Sequence, residues 1–370
     1  MDYINVGIKA KLVHLASALV NQEKGRSIVA PLQRASGFWF GAGNVVEDDA
    51  GRFYLTGRYR NAGDSRTGLR AGERGLELAI FKSEDRGQTF TKVLSFSKNE
   101  LGYDRRKVVS IEGSCLYFVE DGIELYVSTE KSGIPYPEGM EEFQKPGTGI
   151  WSIDVMKAPS IEKLKLQQPR SLIESTDPRF LHVKDPLLFN LPGGDTVCVF
   201  CFHPFTWASA NTGYAIRPRS SKIFGAPGWG FFPRGYCWDV AISRITGVLR
   251  VPRIGAFSTL PPLSLYFYDG GESMRPYDEH PQAVRRPRGY SCEEIGGLAL
   301  GTDKDFPHLE RLSPYLPLFV SPYGTGSSRY VQILQTREGI FAFWQQSQKD
   351  FCQPLVGNFL GNKEVKRILS

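Results

Sequence analysis

Apolar residues along this chain come in short runs separated by acidic, glycine-bearing turns. Gly43-Asn44-Val45-Val46 leads into Glu47-Asp48-Asp49-Ala50-Gly51, and Arg52-Phe53-Tyr54-Leu55-Thr56-Gly57 follows. Strand, tight turn, strand is the signature of a β-hairpin. Two more apolar runs, 76–81 and 90–96, give four antiparallel strands, the content of one propeller blade. The packet recurs. Residues 110–118 turn at Glu120-Asp121-Gly122 into 123–127, with 149–155 and a segment ending at Leu172-Ile173 completing the blade. A third packet opens at Lys184-Asp185-Pro186-Leu187-Leu188-Phe189, turns at Gly193-Gly194-Asp195 and continues through 196–202. The fourth opens at Trp238-Asp239-Val240-Ala241-Ile242, with 263–268 and 295–300 as its next strands. The fifth opens at 328–333, turns at Glu338-Gly339 and runs 340–344.

These packets predict an all-β chain, a five-bladed β-propeller in a single domain spanning 1–370. The blades cover approximately 36–98, 105–173, 180–234, 235–320 and 325–370, and the N-terminal segment closes the ring. If 292–300 opens a blade of its own, the count becomes six. Helix-like spacing is confined to 10–20 and 160–166, short and peripheral. No low-complexity linker divides the chain.

Composition agrees with many short strands: 39 glycines and 24 prolines supply turns, and aromatic residues reach 12%. Lys+Arg outnumber Asp+Glu, 45 to 39, a net charge of +6 without any basic block of five. That argues against a nucleic-acid partner. No run of eighteen apolar residues and no basic, apolar, small-residue leader occurs, so no membrane association and a cytoplasmic location are expected. Cys198 and Cys201 form a CxxC inside an apolar strand. Three residues apart they face opposite ways, so they read as buried thiols and not a zinc clamp.

In a propeller the first strand of each blade lines the axis, and polar groups near its start converge on one pocket. A carboxylate on such a strand is costly unless paired or solvated. Three of the five first strands carry one: Glu112, Asp185 and Asp239. The matching place is Asn44 in the first blade and Arg329 in the fifth. Trp238 offers a stacking face for a sugar. His182 and Lys184 stand beside Asp185, and only one of the adjacent Glu293 and Glu294 faces the pocket if both lie on a strand. Arginine-bearing loops overhang the mouth, with Arg58, Arg60, Arg66, Arg70 and Arg74 in blade one and Arg285, Arg286 and Arg288 in blade four. Guanidinium groups there suit a carboxylate, sulfate or phosphate, although solvated loop charges need no ligand. Structural roles compete throughout: Asp185 before a proline suits a turn cap, Glu112 an ion pair with Arg105 or Arg106, and His182 a packed core position. No metal-ligand spacing, phosphate-cradling glycine loop or GxSxG elbow is present, so no metal or cofactor is expected.

Two sets of residues carry a resemblance. Ser83-Glu84-Asp85-Arg86-Gly87-Gln88-Thr89-Phe90 looks like the Asp-box of the sialidase superfamily, an element of the fold and not of its chemistry. Lys184-Asp185-Pro186-Leu187-Leu188-Phe189 resembles the D-P-x-x-F element, and Glu112-Gly113-Ser114 the E-G-P or E-C-P element, of five-bladed glycosidases of the arabinanase, xylosidase and invertase type. That resemblance implies that Glu112 is the general acid and Asp185 the base or the residue tuning the acid. The family order is Asp, Asp, Glu over blades one to three, whereas this chain has Asn44, Glu112, Asp185. Asn44 cannot act as a base, which brings in Asp239, Glu294 or Glu293. A sialidase would use three arginines on its substrate carboxylate and a Tyr/Glu nucleophile pair. Arg329 and Tyr330 fit part of that set, but the N-terminal arginine signature is missing.

The expected function is therefore a glycoside hydrolase, exo-acting on a non-reducing terminal sugar by carboxylate acid/base catalysis, with the arginines leaning toward an anionic one. Glu112, Asp185, Asp239 and Glu294 are its candidate catalytic groups. Asn44, Arg58, His182, Lys184, Trp238, Glu293, Arg288 and Arg329 are candidate substrate contacts. Carbohydrate is the one partner expected. Two rivals stand beside it: a polysaccharide lyase using Arg329 or Lys184 as neutraliser and His182 or Tyr330 as base, and a non-catalytic binding propeller whose axial carboxylates are ion-paired.

Overall fold

The computed structural model describes residues 4–61, 74–144, 147–204, 209–272 and 294–370. After helix α1 (Val6–Leu19) and strand β1 (Arg26–Val29), the chain forms five antiparallel sheets in sequence, the blades of a propeller. Blade one holds β2 (Trp39–Gly41), β3 (Val45–Glu47), β4 (Phe53–Arg60), β5 (Glu77–Ser83) and β6 (Thr91–Ser97), with β2 and β3 both pairing with β4. Blade two is β7 (Lys107–Val119), β8 (Gly122–Ser132), β9 (Ile150–Ala158) and β10 (Arg170–Ile173). β11 (Lys184–Asn190), β12 (Thr196–Phe202), β13 (Asn211–Arg217) and β14 (Gly228–Phe232) make the third. The fourth comprises β15 (Ile242–Arg250), β16 (Leu263–Gly271), β17 (Ile295–Thr302) and β18 (Leu309–Arg311). In the fifth, β19 (Ser328–Gln335), β20 (Gly339–Gln346) and β21 (Leu355–Gly361) are completed by β1, which pairs antiparallel with β21. The ring is closed by joining the two ends of the chain in one sheet, and α2 (Asn362–Leu369) follows.

Among the described residues the core is mainly five wedges, one between each pair of neighbouring blades, with a smaller cluster of Ile134, Tyr136, Ile150 and Leu181 beside them. β12 makes the reason plain. Its seven residues Thr196-Val197-Cys198-Val199-Phe200-Cys201-Phe202 are all buried. Cys198, Phe200 and Phe202 pack toward Tyr126 and Val155 of blade two, while Val197 and Val199 pack toward Ile245 and Tyr266 of blade four. Alternate side chains face opposite blades, so a blade strand reads as a continuous apolar run. The last wedge, between blades five and one, joins Phe341 and Phe343 to Phe53 and Leu55.

The wedge between blades four and five is widened by the helices. Asn5 caps α1 by accepting a hydrogen bond from the Ile8 amide at 2.9 Å. Leu12, Leu15, Ala16 and Leu19 are fully buried on its inner face, against Trp344, Ile340 and Leu265 and alongside Ile368 and Leu369 of α2. The N-terminal helix is thus part of the core and not peripheral. α2 escapes sequence pattern because only eight residues carry it.

Two strand assignments need correction. The inner strand of blade four is Ile242–Arg250, not 238–242. Trp238-x-Val240-x-Ile242 imitates a strand by alternation, whereas Arg244, Gly247 and Arg250 disguise the real one. Residues 295–300 open no sixth blade, because β17 lies between β16 and β18. Between β5 and β6, Asp85 accepts from the Gln88 and Thr89 amides at 3.0 and 2.9 Å, and Ser83 Oγ accepts from the Gly87 amide at 2.8 Å. That turn is held by its own side chains.

Trp344 has no exposed surface and sits where both helices meet blade five. Trp344→Ala is expected to cost about 3–5 kcal/mol, read as a lowered midpoint in denaturant unfolding with an unchanged slope.

Candidate functional site

Each innermost strand is broken, and the breaks build the site. β2 and β3 are separated at Ala42 (φ 59°). Register shifts fall between Ile111 and Ser114 in β7, Lys184 and Leu187 in β11, Ile245 and Gly247 in β15, and Arg329 and Gln332 in β19. A bulge inserts a residue and re-aims its side chain. Asp185 (φ 57°) and Tyr330 (φ 53°) sit within two of these bulges in left-handed backbone, as His182 (φ 56°) does just before β11. Such positions cost on the order of 1–3 kcal/mol each in a non-glycine residue and gather at functional sites.

The re-aimed side chains form one network. Glu112 accepts from Arg58 Nη2 at 2.9 Å and from Ser110 Oγ at 3.0 Å. Asp185 accepts from the Gly113 amide at 3.0 Å and from Arg244 Nη1 at 3.0 Å. A Cβ on Gly113 would lie 2.5 Å from Asp185 Oδ1, so this approach requires glycine. Arg244 also binds Asp269 through Nε and Nη2 at 3.2 and 2.7 Å, and its Nη2 lies 2.9 Å from Glu294. Arg329 pairs with Glu294, and its guanidinium lies 4.2 Å over the Trp39 ring. Tyr330 donates its amide to Asp269 and, at 3.4 Å, its hydroxyl to Asp185. Arg74 and Glu130 form a neighbouring pair at 2.6 Å.

Three of the four candidate catalytic carboxylates therefore converge: Glu112, Asp185 and Glu294. Asp239 does not. It precedes β15 and is fully buried on Arg311 Nε at 2.7 Å and the Tyr268 hydroxyl at 3.2 Å. Trp238 offers no open face, since it stacks on Tyr268 and donates to the Ser313 carbonyl at 2.9 Å. Asn44 spends both amide atoms on the Leu116 backbone, at 2.9 and 2.8 Å, clasping blade one to blade two. Glu112 pairs with Arg58 and not with Arg105 or Arg106, the latter of which binds Glu174. Arg58, Lys184 and Arg329 lie in the network, and His182 packs beside it against Trp151. Arg288 and Glu293 lie outside the described residues, as do Arg66, Arg70, Arg285 and Arg286. Sequence reasoning missed Arg244 and Asp269. The legible signal for Asp269 was a carboxylate ending the aromatic run Leu265-Tyr266-Phe267-Tyr268, which needs a buried partner.

Electrostatics assigns charge states. Burial pushes the Glu112 carboxyl up, but Arg58, then Lys184, Arg60 and Arg74, outweigh it and hold it at about 2. Glu294 is held low against burial by Arg244, Arg329 and Lys184. Burial raises Asp269 to about 6 despite Arg244, and Glu130 to about 7 despite Arg74. Burial and Lys184 push His182 down to about 3, and burial drives the Tyr330 hydroxyl well above its ordinary range. Among the described residues no group of three or more His, Cys, Asp or Glu is placed to hold a metal ion.

No protein-family model matches the chain, and no curated protein matches it in sequence. Solved structures match it in fold. An alpha-L-arabinofuranosidase from Lactobacillus brevis is 9% identical, with 90% of this chain and 92% of that chain covered and a TM-score of 0.56. The GH43_1 enzyme from Xanthomonas citri complexed with xylose is 10% identical over 95% and 93%, at a TM-score of 0.55. A beta-1,2-mannobiose phosphorylase from Listeria innocua, in complex with beta-1,2-mannobiose, is 12% identical over 94% of each chain, at 0.52. The chain thus shares the five-bladed propeller fold of proteins that include arabinofuranosidases and xylosidases, at identities where fold alone is common ground.

The charge states predict a two-sided pH dependence of stability. Glu112, depressed from 4.5, contributes stability above that value that is lost as pH falls toward about 2. Asp269 and Glu130, raised to about 6 and 7, contribute stability present at low pH and lost as pH rises through those values. Melting temperature should therefore decline on both sides of about pH 4 to 5, and Asp269→Asn should flatten the decline on the alkaline side.

Proposed function

We propose that this protein is a glycoside hydrolase acting on a terminal sugar that carries an anionic group. The single observation that supports this most is the convergence of Glu112, Asp185 and Glu294 with Arg58, Arg244 and Arg329 at the propeller axis. Carboxylates flanking one small pocket are the equipment of glycosidic bond cleavage. Glycosidases of known structure, with names including arabinofuranosidase and xylosidase, are built on the same fold. Exo action is part of this reading, since a funnel formed by five inner strands would admit one chain end.

The electrostatics revises the division of labour. Glu112, which the resemblance makes the acid, is a carboxylate in this network because Arg58 and Lys184 act on it. It suits the base or nucleophile role until a ligand alters that environment. Glu294 is likewise ionised and, at 17% side-chain exposure, is the more open of the two. Asp185, held by Arg244 and the Gly113 amide, is the third carboxylate of the set. A lyase reading has less support, since Tyr330 is a phenol far from losing its proton and His182 is buried.

One observation favours a second reading. Among the described residues every axial carboxylate is ion-paired, as in a propeller that binds a glycan without turning it over. A panel of aryl glycosides and uronate-containing oligosaccharides separates the two. Hydrolysis should release a saturated monosaccharide, and Glu112→Gln, Asp185→Asn and Glu294→Gln should each lower kcat by about a hundredfold or more. Glycan binding by the wild type, with no product and affinity retained in Glu112→Gln, establishes the binding propeller instead. An unsaturated product absorbing in the ultraviolet identifies a lyase.

A further inference from the structure

Strand β4 carries an anomaly that the carboxylate network does not absorb. All eight of its residues are buried, yet two of them, Arg58 and Arg60, are arginines exposed by only 2% and 8%. Separated by two positions on a strand, they project from the same face. Arg58 uses one nitrogen, Nη2, on Glu112, while its Nε and Nη1 are buried without a hydrogen-bond partner. Arg60 pairs with no carboxylate among the described residues, and its Nε is buried without a partner as well. Its guanidinium lies 4.2 Å over the Trp39 ring. Burial, then the neighbouring Arg58, lowers Arg60 to about 9; Glu112 opposes the shift without cancelling it, and Arg329 and Arg74 add to it, the direction expected of a buried cation with too little counter-charge.

Buried donors left unsatisfied are expensive, and a buried cation without an anion more so. Carboxylates balance the rest of the axis: Glu112 answers Arg58, while Asp185, Asp269 and Glu294 answer Arg244 and Arg329. Among the described residues Arg60 has no carboxylate partner of its own, and open donors lie on it and on Arg58.

We propose that Arg58 and Arg60 form an oxyanion-binding subsite beside Glu112. Planar guanidinium forks present paired N–H groups matched to the oxygens of a carboxylate, sulfate or phosphate. Trp39 holds the Arg60 fork in place by cation–π contact, so little side-chain freedom is lost on binding. This deepens the proposed function, from which it takes the nature of the ligand as a sugar-borne anion. The subsite itself rests on the unsatisfied donors.

The test is calorimetric titration of the full chain at low ionic strength with inorganic phosphate, sulfate, D-glucuronate and, as neutral control, D-glucose. Melting of the ligand-free protein is measured in parallel for wild type, Arg60→Met and Arg60→Lys. Saturable binding of an oxyanion but not glucose is expected, weakened at least tenfold in Arg60→Met and less in Arg60→Lys. Because Arg60→Met removes a buried charge with too little compensation, its ligand-free melting temperature should match or exceed wild type. Glucuronate binding tighter than phosphate identifies the anion as part of the sugar, and the reverse order identifies a free ion.

Absence of saturable oxyanion binding to wild type overturns the subsite, and that result does not depend on any variant folding. Equal binding by Arg60→Met, or a lowered melting temperature with anion affinity unchanged, makes Arg60 a structural partner of Trp39 and overturns it too. The two proposals fail separately. Oxyanion binding without glycoside turnover keeps the subsite and removes the hydrolase, whereas turnover of neutral glycosides without oxyanion binding does the opposite.

Discussion

A circuit of charged and polar contacts around the axis ties the five blades together. Arg58 of blade one holds Glu112 of blade two, whose neighbour Gly113 donates its amide to Asp185 of blade three. Arg244 of blade four grips Asp185, Asp269 and Glu294, and the Tyr330 amide of blade five caps Asp269. Arg329 returns to blade one by lying over Trp39. The wedges of apolar side chains would be satisfied by many small rotations of one blade against another. Directional bonds between buried charges are not, and breaking one such pair strands a charge at a cost of about 3–5 kcal/mol. Register between blades is therefore set at the axis.

The same constraint explains the local backbone. A regular strand would send alternate side chains into the two flanking wedges and leave nothing for the axis. Bulges in four inner strands and the gap between β2 and β3 supply the exception, turning Glu112, Asp185 and Tyr330 out of the alternation. The left-handed residues at Asp185 and Tyr330 are held by bonds made there: the Asp185 amide donates to Ser128 Oγ, and the Tyr330 amide to Asp269. Strain and charge support each other, since each bulge places the donor or acceptor that the next blade requires.

Networks of this kind hold charge in a fixed pattern that solvent does not screen well. That fixes Glu112 and Glu294 as carboxylates and lifts Asp269 toward neutral pH within one small volume. Environments that push titratable groups apart are how proteins divide acid and base roles between similar side chains. At this axis the separation of charge states follows from which guanidinium each carboxylate faces.

By itself the sequence determined the blades. Apolar runs, acidic-glycine turns and a recurring hairpin specify five packets because strand period and turn chemistry are local properties. It also marked Glu112, Asp185 and Arg329 as anomalous, since charge inside an apolar strand is visible without a structure. Tertiary structure decided the rest. Asp239 and Asn44 hold polar side chains at similar apparent places, yet Arg311 and the Leu116 backbone claim them for packing. Arg244 looked like an interruption and is the hub, because its three carboxylate partners lie 25 to 59 residues away in the chain. Which carboxylate meets which arginine depends on contacts between blades, and no local pattern encodes a partner brought near only when the ring closes.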